Sequence, residues 1–188
     1  MKKKIAVHLA EGFEEIEAVS IIDVLRRADI DVLVVSMTGN LEVSGAHHLK
    51  VKADTLFEAV DYSELFMIVL PGGMPGAANL DAHMELKNQI KQFAQQNKPL
   101  AAICAAPMVL GNLGILTGKQ AVCYPGFEKY LKGAEVLMAP VVESGNVITG
   151  RGIGTALEFA LTIVGKTVSV EKAKLIAEQI LVEYKVLV

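Results

Sequence analysis

Two hydrophobic rhythms take turns along the chain. Short runs that are apolar almost throughout, at residues 4–9, 65–70 and 99–103, are separated by stretches in which apolar positions return every three or four residues. A run without polar alternation is covered on both faces, as strands inside a parallel sheet are. The three-to-four spacing predicts helices at about 14–28, 84–96, 105–113, 155–164 and 170–184. Further strands are expected at 31–37, 120–124 and 135–138. Small hairpins are expected around Ser44-Gly45, within 41–54, and across Ser144-Gly145-Asn146, within 141–149. Alternating strand and helix signals predict an α/β fold, a doubly wound, mostly parallel sheet with helices on both faces. No repeat, low-complexity tract or linker-like shift in composition interrupts this order, so residues 1–188 are expected to form a single domain. In such sheets the ligand lies beyond the carboxyl ends of the strands. Those ends fall at 10–12, 71–73 and 104–106.

The last of these carries a cysteine. In Ala102-Ile103-Cys104-Ala105-Ala106-Pro107 a buried strand gives way to a helix at Cys104. A nucleophile on a sharp strand-to-helix turn needs small side chains two positions away on either side, because the backbone crowds there. Ala102 and Ala106 meet that need. Free N–H groups and the positive end of the helix dipole favour a thiolate at such a place and are expected to lower its pKa. A depression of two pKa units would favour the anion by about 2.7 kcal/mol. Cys123 sits inside a short apolar strand without this setting and reads as structural.

A second clue is an acid on the wrong side of a helix. Ile21, Val24, Leu25 and Ala28 share the apolar sector of the first helix, and Glu17, four residues before Ile21, belongs to it. Glu14 and Glu15 are expected in the exposed first turn. A buried carboxyl without a cation stays protonated, and beside Cys104 it would donate a hydrogen bond and later serve as acid or base. The alternative is an ordinary acid at a helix start, favoured by the dipole.

Composition narrows the setting. The chain is 52% hydrophobic with a net charge of −3 and no tryptophan, so it can build a two-sided core and offers no basic stripe to nucleic acid. No run reaches the ~18 apolar residues of a membrane span. Lys2-Lys3-Lys4 precede an apolar run that ends too soon, at Glu11, for a secretory leader, so a first strand is expected there. Two cysteines make no disulfide framework, and a cytoplasmic, reducing compartment is expected.

Glu14-Glu15-Ile16-Glu17, Asp23-Val24-Leu25-Arg26-Arg27-Ala28, Leu70-Pro71-Gly72-Gly73, Ala101-Ala102-Ile103-Cys104-Ala105 and Thr149-Gly150-Arg151-Gly152 through Gly154-Thr155 together resemble the ThiJ/PfpI superfamily. Within it they most resemble the branch of the human parkinsonism-associated protein and its bacterial relatives. The motifs run in order over essentially the whole chain. The resemblance implies a flavodoxin-like fold, akin to class I glutamine amidotransferases, and a homodimer. It implies that Cys104 is the oxidisable cysteine and Glu17 its buried acid partner, with backbone N–H groups of Gly73 and Ala105 forming an anion pocket. Tyr124, Gly72, Arg27 and His47 are candidates to line it. Tyr124 stands where some members carry a histidine, and a phenol is the poorer base near neutral pH. His47 stands where the dimer partner's arginine would be. As hairpin histidines, His47 and His48 otherwise read as exposed loop residues.

Two functions fit. One is a cofactor-free glyoxalase or deglycase acting on α-oxoaldehydes such as methylglyoxal and glyoxal, or on their protein adducts. The other is a redox-sensing stress protein or chaperone whose thiol is oxidised to sulfinate. Other classes fall away. All four histidines (8, 47, 48 and 83) precede Cys104, which removes the late histidine of an amidotransferase triad. Ala105 stands where the protease-like branch has its histidine. Acids fill the first strand-to-helix turn, where a dinucleotide fold wants glycines. Gly150 to Thr155 could cradle an anion, but the glycines read better as a tight turn. No spacing of histidines to acids or cysteines argues for a metal, and no cofactor is expected.

Overall fold

The computed structural model describes residues 3–184. The chain begins with strand β1 (Lys4–Leu9), helix α1 (Glu15–Arg27) and β2 (Asp31–Ser36), followed by the short strands β3 (Glu42–Ser44), β4 (Lys50–Lys52) and β5 (Thr55–Leu56). Then come β6 (Leu65–Leu70), α2 (Gly76–Ala82), α3 (Met84–Gln95), β7 (Leu100–Ile103) and α4 (Pro107–Asn112). Strands β8 (Gln120–Ala121), β9 (Glu135–Val136), β10 (Val141–Ser144) and β11 (Val147–Gly150) precede the closing helices α5 (Ala156–Thr167) and α6 (Val170–Gln179).

Seven strands form one sheet in the order β10-β11-β7-β6-β1-β2-β5. All neighbours are parallel except the β10–β11 hairpin at one edge. The expected mostly parallel, doubly wound sheet is therefore present. Its physical basis is visible in β1. Ile5, Val7 and Leu9 point to one face and pack with Ile21, Leu25, Phe159 and Ile163 of α1 and α5. Ala6 and Ala10 point to the other, where Leu80, Leu86, Ile90, Phe93 and Leu110 of α2, α3 and α4 lie. Both faces being covered, the strand has no polar alternation to show. His8 is the exception: fully buried, it meets the Tyr62 hydroxyl at 2.7 Å, and burial pushes its pKa down to about 3, so it is a neutral core residue.

Several expectations are corrected. Residues 120–124 and 135–138 supply only the two-residue strands β8 and β9, which pair with each other outside the main sheet. The edge strand β5 and the helix α2 lie in segments without a strong apolar rhythm and were not expected. Helix α4 starts at Pro107 rather than at 105, and α6 stops at Gln179. Among the described residues no helix is long and apolar enough to cross a membrane.

Candidate active site

The carboxyl ends of β6 and β7, adjacent in the sheet, bring 71–73 and 104–106 together. Cys104 follows β7 directly, and its backbone is in the left-handed region with φ of 64°. A residue with a side chain held there carries strain on the order of 1–3 kcal/mol, and such strain collects at functional turns. Backbone hydrogen bonds to the end of β11 and to the segment after β8 pin the turn. Cys104 N–H donates to Gly150 O at 2.9 Å, and Tyr124 N–H donates to Cys104 O at 2.8 Å. Ala102 and Ala106 are fully buried, as the crowding at an elbow requires.

Glu17 arrives from the other side, on the first turn of α1, and is completely buried. Glu14 caps this helix, its carboxylate accepting from Glu17 N–H at 2.7 Å. The Glu17 carboxyl reaches the loop after β6, where Oε2 accepts from Gly72 N–H at 2.9 Å. Its other oxygen, Oε1, is buried with no hydrogen-bond partner among the described residues. The Cys104 thiol lies beside the Glu17 carboxyl, and each shifts the other's ionisation. Gly72 makes the meeting possible. A Cβ there would lie 2.5 Å from Cys104 Cβ and 2.8 Å from Glu17 Oε2, distances no real side chain tolerates. Backbone N–H groups of Gly73 and Ala105 point at the sulfur.

Burial dominates the charge balance of the pair. It raises Glu17 to about 7, against the opposing pull of the Gly72 N–H and the thiol. Burial also raises Cys104 to about 12, helped by the Glu17 charge and hydrogen bond and opposed by the N–H groups of Gly73 and Ala105. The expected lowering of the thiol pKa is thus corrected. Helix α4 begins three residues beyond Cys104 and is only six residues long. Two N–H groups do not offset the loss of water and an adjacent carboxylate. Both groups are protonated below about 7, and above it the carboxyl gives up its proton while the sulfur keeps its own.

Of the other candidates, Gly72, Gly73 and Ala105 are at the thiol. Tyr124 is half-exposed at its mouth and lines, with Gly152, a cavity of 340 Å³. Arg27 is not brought there: it lies in the last turn of α1, ion-paired with Asp23 at 2.5 Å, about 15 Å along the helix axis from Glu17. His47 is not there either. Its Nδ1 meets Glu15 Oε2 at 2.9 Å and its N–H donates to Glu15 Oε1 at 2.6 Å.

That contact overturns the expected exposure of the first turn of α1. Glu14 and Glu15 are both buried, because the β3–β4 hairpin folds over them. Burial pushes the Glu15 carboxyl up, but hydrogen bonds from His47 and the backbone outweigh it and hold the acid low, while His47 is raised in return. A histidine does therefore stand beside acids, contrary to the reading of their spacing. Ligand atoms of Glu14, Glu15 and His47 lie within 4.8 Å of one another. Cys123 is buried, as expected of a structural thiol.

A strained cysteine at the end of a central parallel strand, beside a buried glutamate and under two backbone N–H groups, defines a cysteine-elbow α/β protein. The model of the DJ-1/PfpI family matches residues 3–166, and the chain belongs to that family. It is 41% identical over 180 residues to protein DJ-1 homolog B of Arabidopsis thaliana, covering 95% of this chain and 41% of that one. The chain thus spans about two fifths of the length of that relative. It is 38% identical over 175 residues to the Parkinson disease protein 7 homolog of Danio rerio, covering 91% and 93% of the two. A solved structure described as Toxoplasma gondii DJ-1, oxidized, superposes with a TM-score of 0.93 at 40% identity, covering 97% of this chain and all of that one.

Proposed function

We propose that the protein is a cofactor-free glyoxalase, with deglycase-type action on protein adducts as the related chemistry, in which Cys104 is nucleophile and Glu17 the proton carrier. The observation that carries this reading is a buried carboxyl packed beside a buried thiol across Gly72, with Glu17 at about 7. A general base is most effective when its pKa is near the working pH. Glu17 takes the thiol proton as sulfur bonds to the aldehyde carbon of an α-oxoaldehyde. The resulting alkoxide, held by the N–H groups of Gly73 and Ala105, takes that proton to give a hemithioacetal. Glu17 then removes the proton on the former aldehyde carbon and returns it to the neighbouring carbonyl carbon, while the hemithioacetal hydroxyl proton passes to the neighbouring oxygen, leaving a thioester with an α-hydroxyl. Water cleaves the carbon–sulfur bond, releasing a 2-hydroxy acid and the thiol. One carbon is oxidised as its neighbour is reduced, so no external oxidant or reductant is required.

The test is lactate formation from methylglyoxal by the intact protein, Cys104→Ser and Glu17→Gln. Loss of lactate in both variants is expected, and turnover unchanged in both removes the proposal. Two unpaired cysteines support action in a reducing compartment such as the cytoplasm.

A second reading is favoured by one observation. A relative that superposes closely is described as oxidized, and here a protonated Glu17 stands ready to donate to an oxygen on sulfur. In this reading Cys104 is a peroxide-sensing thiol of a stress protein, and mild peroxide yields a sulfinate confined to Cys104. A homodimer is proposed with either role. Ile16 and Val19, one turn apart on α1, are more than half exposed, and sedimentation of Ile16→Lys as a monomer beside a dimeric wild type would support it.

A further inference from the structure

The chain has three arginines, and two of them have an acid: Arg26 pairs with Asp54 at 3.2 Å and Arg27 with Asp23. Arg151 does not. It leaves β11 with its backbone N–H donating to Pro140 O at 2.9 Å, and its Nη1 reaches only the Met138 sulfur at 3.3 Å. A thioether is a weak acceptor, and Met138 is itself almost fully exposed. Glu128, which like Arg151 acts on Cys123, accepts from Gly126 N–H at 2.7 Å and forms no ion pair with Arg151. Among the described residues Arg151 has no carboxylate partner.

The half-buried Arg151 lines the 340 Å³ cavity together with Tyr124, Pro125, Gly152 and Ile153. The cavity's Gly152 wall stands next to the reactive sulfur. A Cβ on Gly152 would stand 4.0 Å from Cys104 Sγ and 3.2 Å from the Tyr124 ring, so the missing side chain leaves room above the thiol. An unpaired guanidinium, two edges of N–H donors in a fixed plane, fits a carboxylate or phosphate in bidentate fashion. Set at the rim of an otherwise mostly apolar cavity, it is the kind of isolated polar group that orients a ligand.

We infer that Arg151 makes this cavity selective for anionic carbonyl compounds, its guanidinium holding the carboxylate or phosphate of an α-oxoaldehyde whose aldehyde carbon faces Cys104. The inference rests on the glyoxalase reading for the reaction, but not for the binding of the anion. It changes the expected substrate class from small neutral aldehydes to α-oxoaldehydes with an acidic tail. Arg151 is then a binding residue, and the glycines around it, read from sequence as a tight turn, leave its neighbourhood open.

The test separates binding from turnover. Cys104 is alkylated with anionic iodoacetate and neutral iodoacetamide, and the rates are read by peptide mass mapping in the wild type, Arg151→Met and Arg151→Lys. Taking the ratio of the two rates cancels any change in thiol pKa. The ratio of iodoacetate to iodoacetamide is expected to fall at least about fivefold in Arg151→Met and less than about twofold in Arg151→Lys. An equal ratio in wild type and Arg151→Met overturns the inference. Should Arg151→Met fail to fold, the wild type is alkylated with iodoacetamide in rising succinate; slower modification supports the anion site and an unchanged rate overturns it.

Turnover of 4,5-dioxopentanoate and of hydroxypyruvaldehyde phosphate, compared with methylglyoxal, identifies which oxyanion is preferred. The preference is expected mainly in KM and is expected to shrink in Arg151→Met. If no α-oxoaldehyde is turned over while the alkylation ratio falls, the glyoxalase reading fails and the anion site stands. If methylglyoxal is turned over and the ratio does not move, the glyoxalase reading stands and the anion site fails.

Discussion

The two cysteines are a natural experiment in what makes a thiol reactive. Both are free, both are buried, and burial raises both, Cys104 to about 12 and Cys123 to about 11. By exposure and acidity they are nearly indistinguishable. They differ in what surrounds them. Cys104 stands on a left-handed elbow, with a buried carboxyl at its sulfur and two N–H groups facing it. Cys123 has two charges at a distance, Glu128 and Arg151, whose effects oppose each other. The difference teaches that the reactive thiol of this fold is not one that stands ionised. It is one that has somewhere to send its proton and donors waiting for the charge that follows.

The sharpest way to break that comparison is to exchange each sulfur for oxygen. Cys104→Ser is expected to lower methylglyoxal turnover by more than about a thousandfold, whereas Cys123→Ser should stay within about twofold. Comparable losses in both would show that burial, which they share, matters more than the elbow. Next in size is the proton carrier. Glu17→Gln keeps the shape but cannot take a proton, and a loss of about 10²–10⁴ in kcat is expected from removing a general base.

The same substitution has an opposite effect on stability. Because the folded-state pKa of Glu17 lies above its ordinary 4.5, the folded protein binds the proton more tightly than the unfolded chain. Stability therefore falls as pH rises from about 4.5 to about 7, by up to about 3 kcal/mol for a shift of this size. Denaturant titrations should show Glu17→Gln gaining on the wild type across that window and holding a constant lead above it. A lead that does not grow with pH would mean that the carboxyl is not disfavoured by burial.

Gly72→Ala probes the close approach itself. The added methyl has no space between Cys104 Cβ and Glu17 Oε2. A loss of about 1–3 kcal/mol in stability is expected, with Glu17 and Cys104 uncoupled in the pH dependence of alkylation. The smallest effect is expected at the hairpin. His47 is raised by its contact with Glu15, so the stability it adds is full below its ordinary 6.5 and is lost as pH rises through its higher folded value. Melting temperatures of His47→Ala and wild type should therefore differ slightly at low pH and converge above it. Divergence at high pH would contradict a role limited to that ion pair.

Much of this was legible in the sequence because the relevant signals are local. Strands β1, β6 and β7 announce a parallel sheet by being apolar throughout, and small residues on both sides of Cys104 announce an elbow. Glu17 was legible because a helix has a fixed period, which puts it on the face of Ile21 and Val24. What was not legible depends on contacts between distant segments. Glu14 and Glu15 look like an ordinary solvated first turn until the β3–β4 hairpin lies over them, and His47 looks like a loop histidine until Glu15 is beneath it. Helix α2 and strand β5 are set by tertiary packing rather than by their own pattern. The acidity of Cys104 was misjudged for a related reason. The helix mouth can be read from the residues after the cysteine, but the dehydration around the sulfur is made by several segments at once. Arg151 was read as part of a turn, since nothing in the linear order says that its side chain has no acid to meet.

The arrangement at Gly72 has a consequence for how such a protein can change. With no atom to spare between sulfur and carboxyl, that position is closed to mutational drift, and so is the distance between the two groups. The walls of the opening are another matter. They come from the segments after β8 and β11, outside the central strands, and can be rebuilt residue by residue while the reacting pair stays as it is. A lineage built on this plan can diversify in what it admits long before it diversifies in what it does.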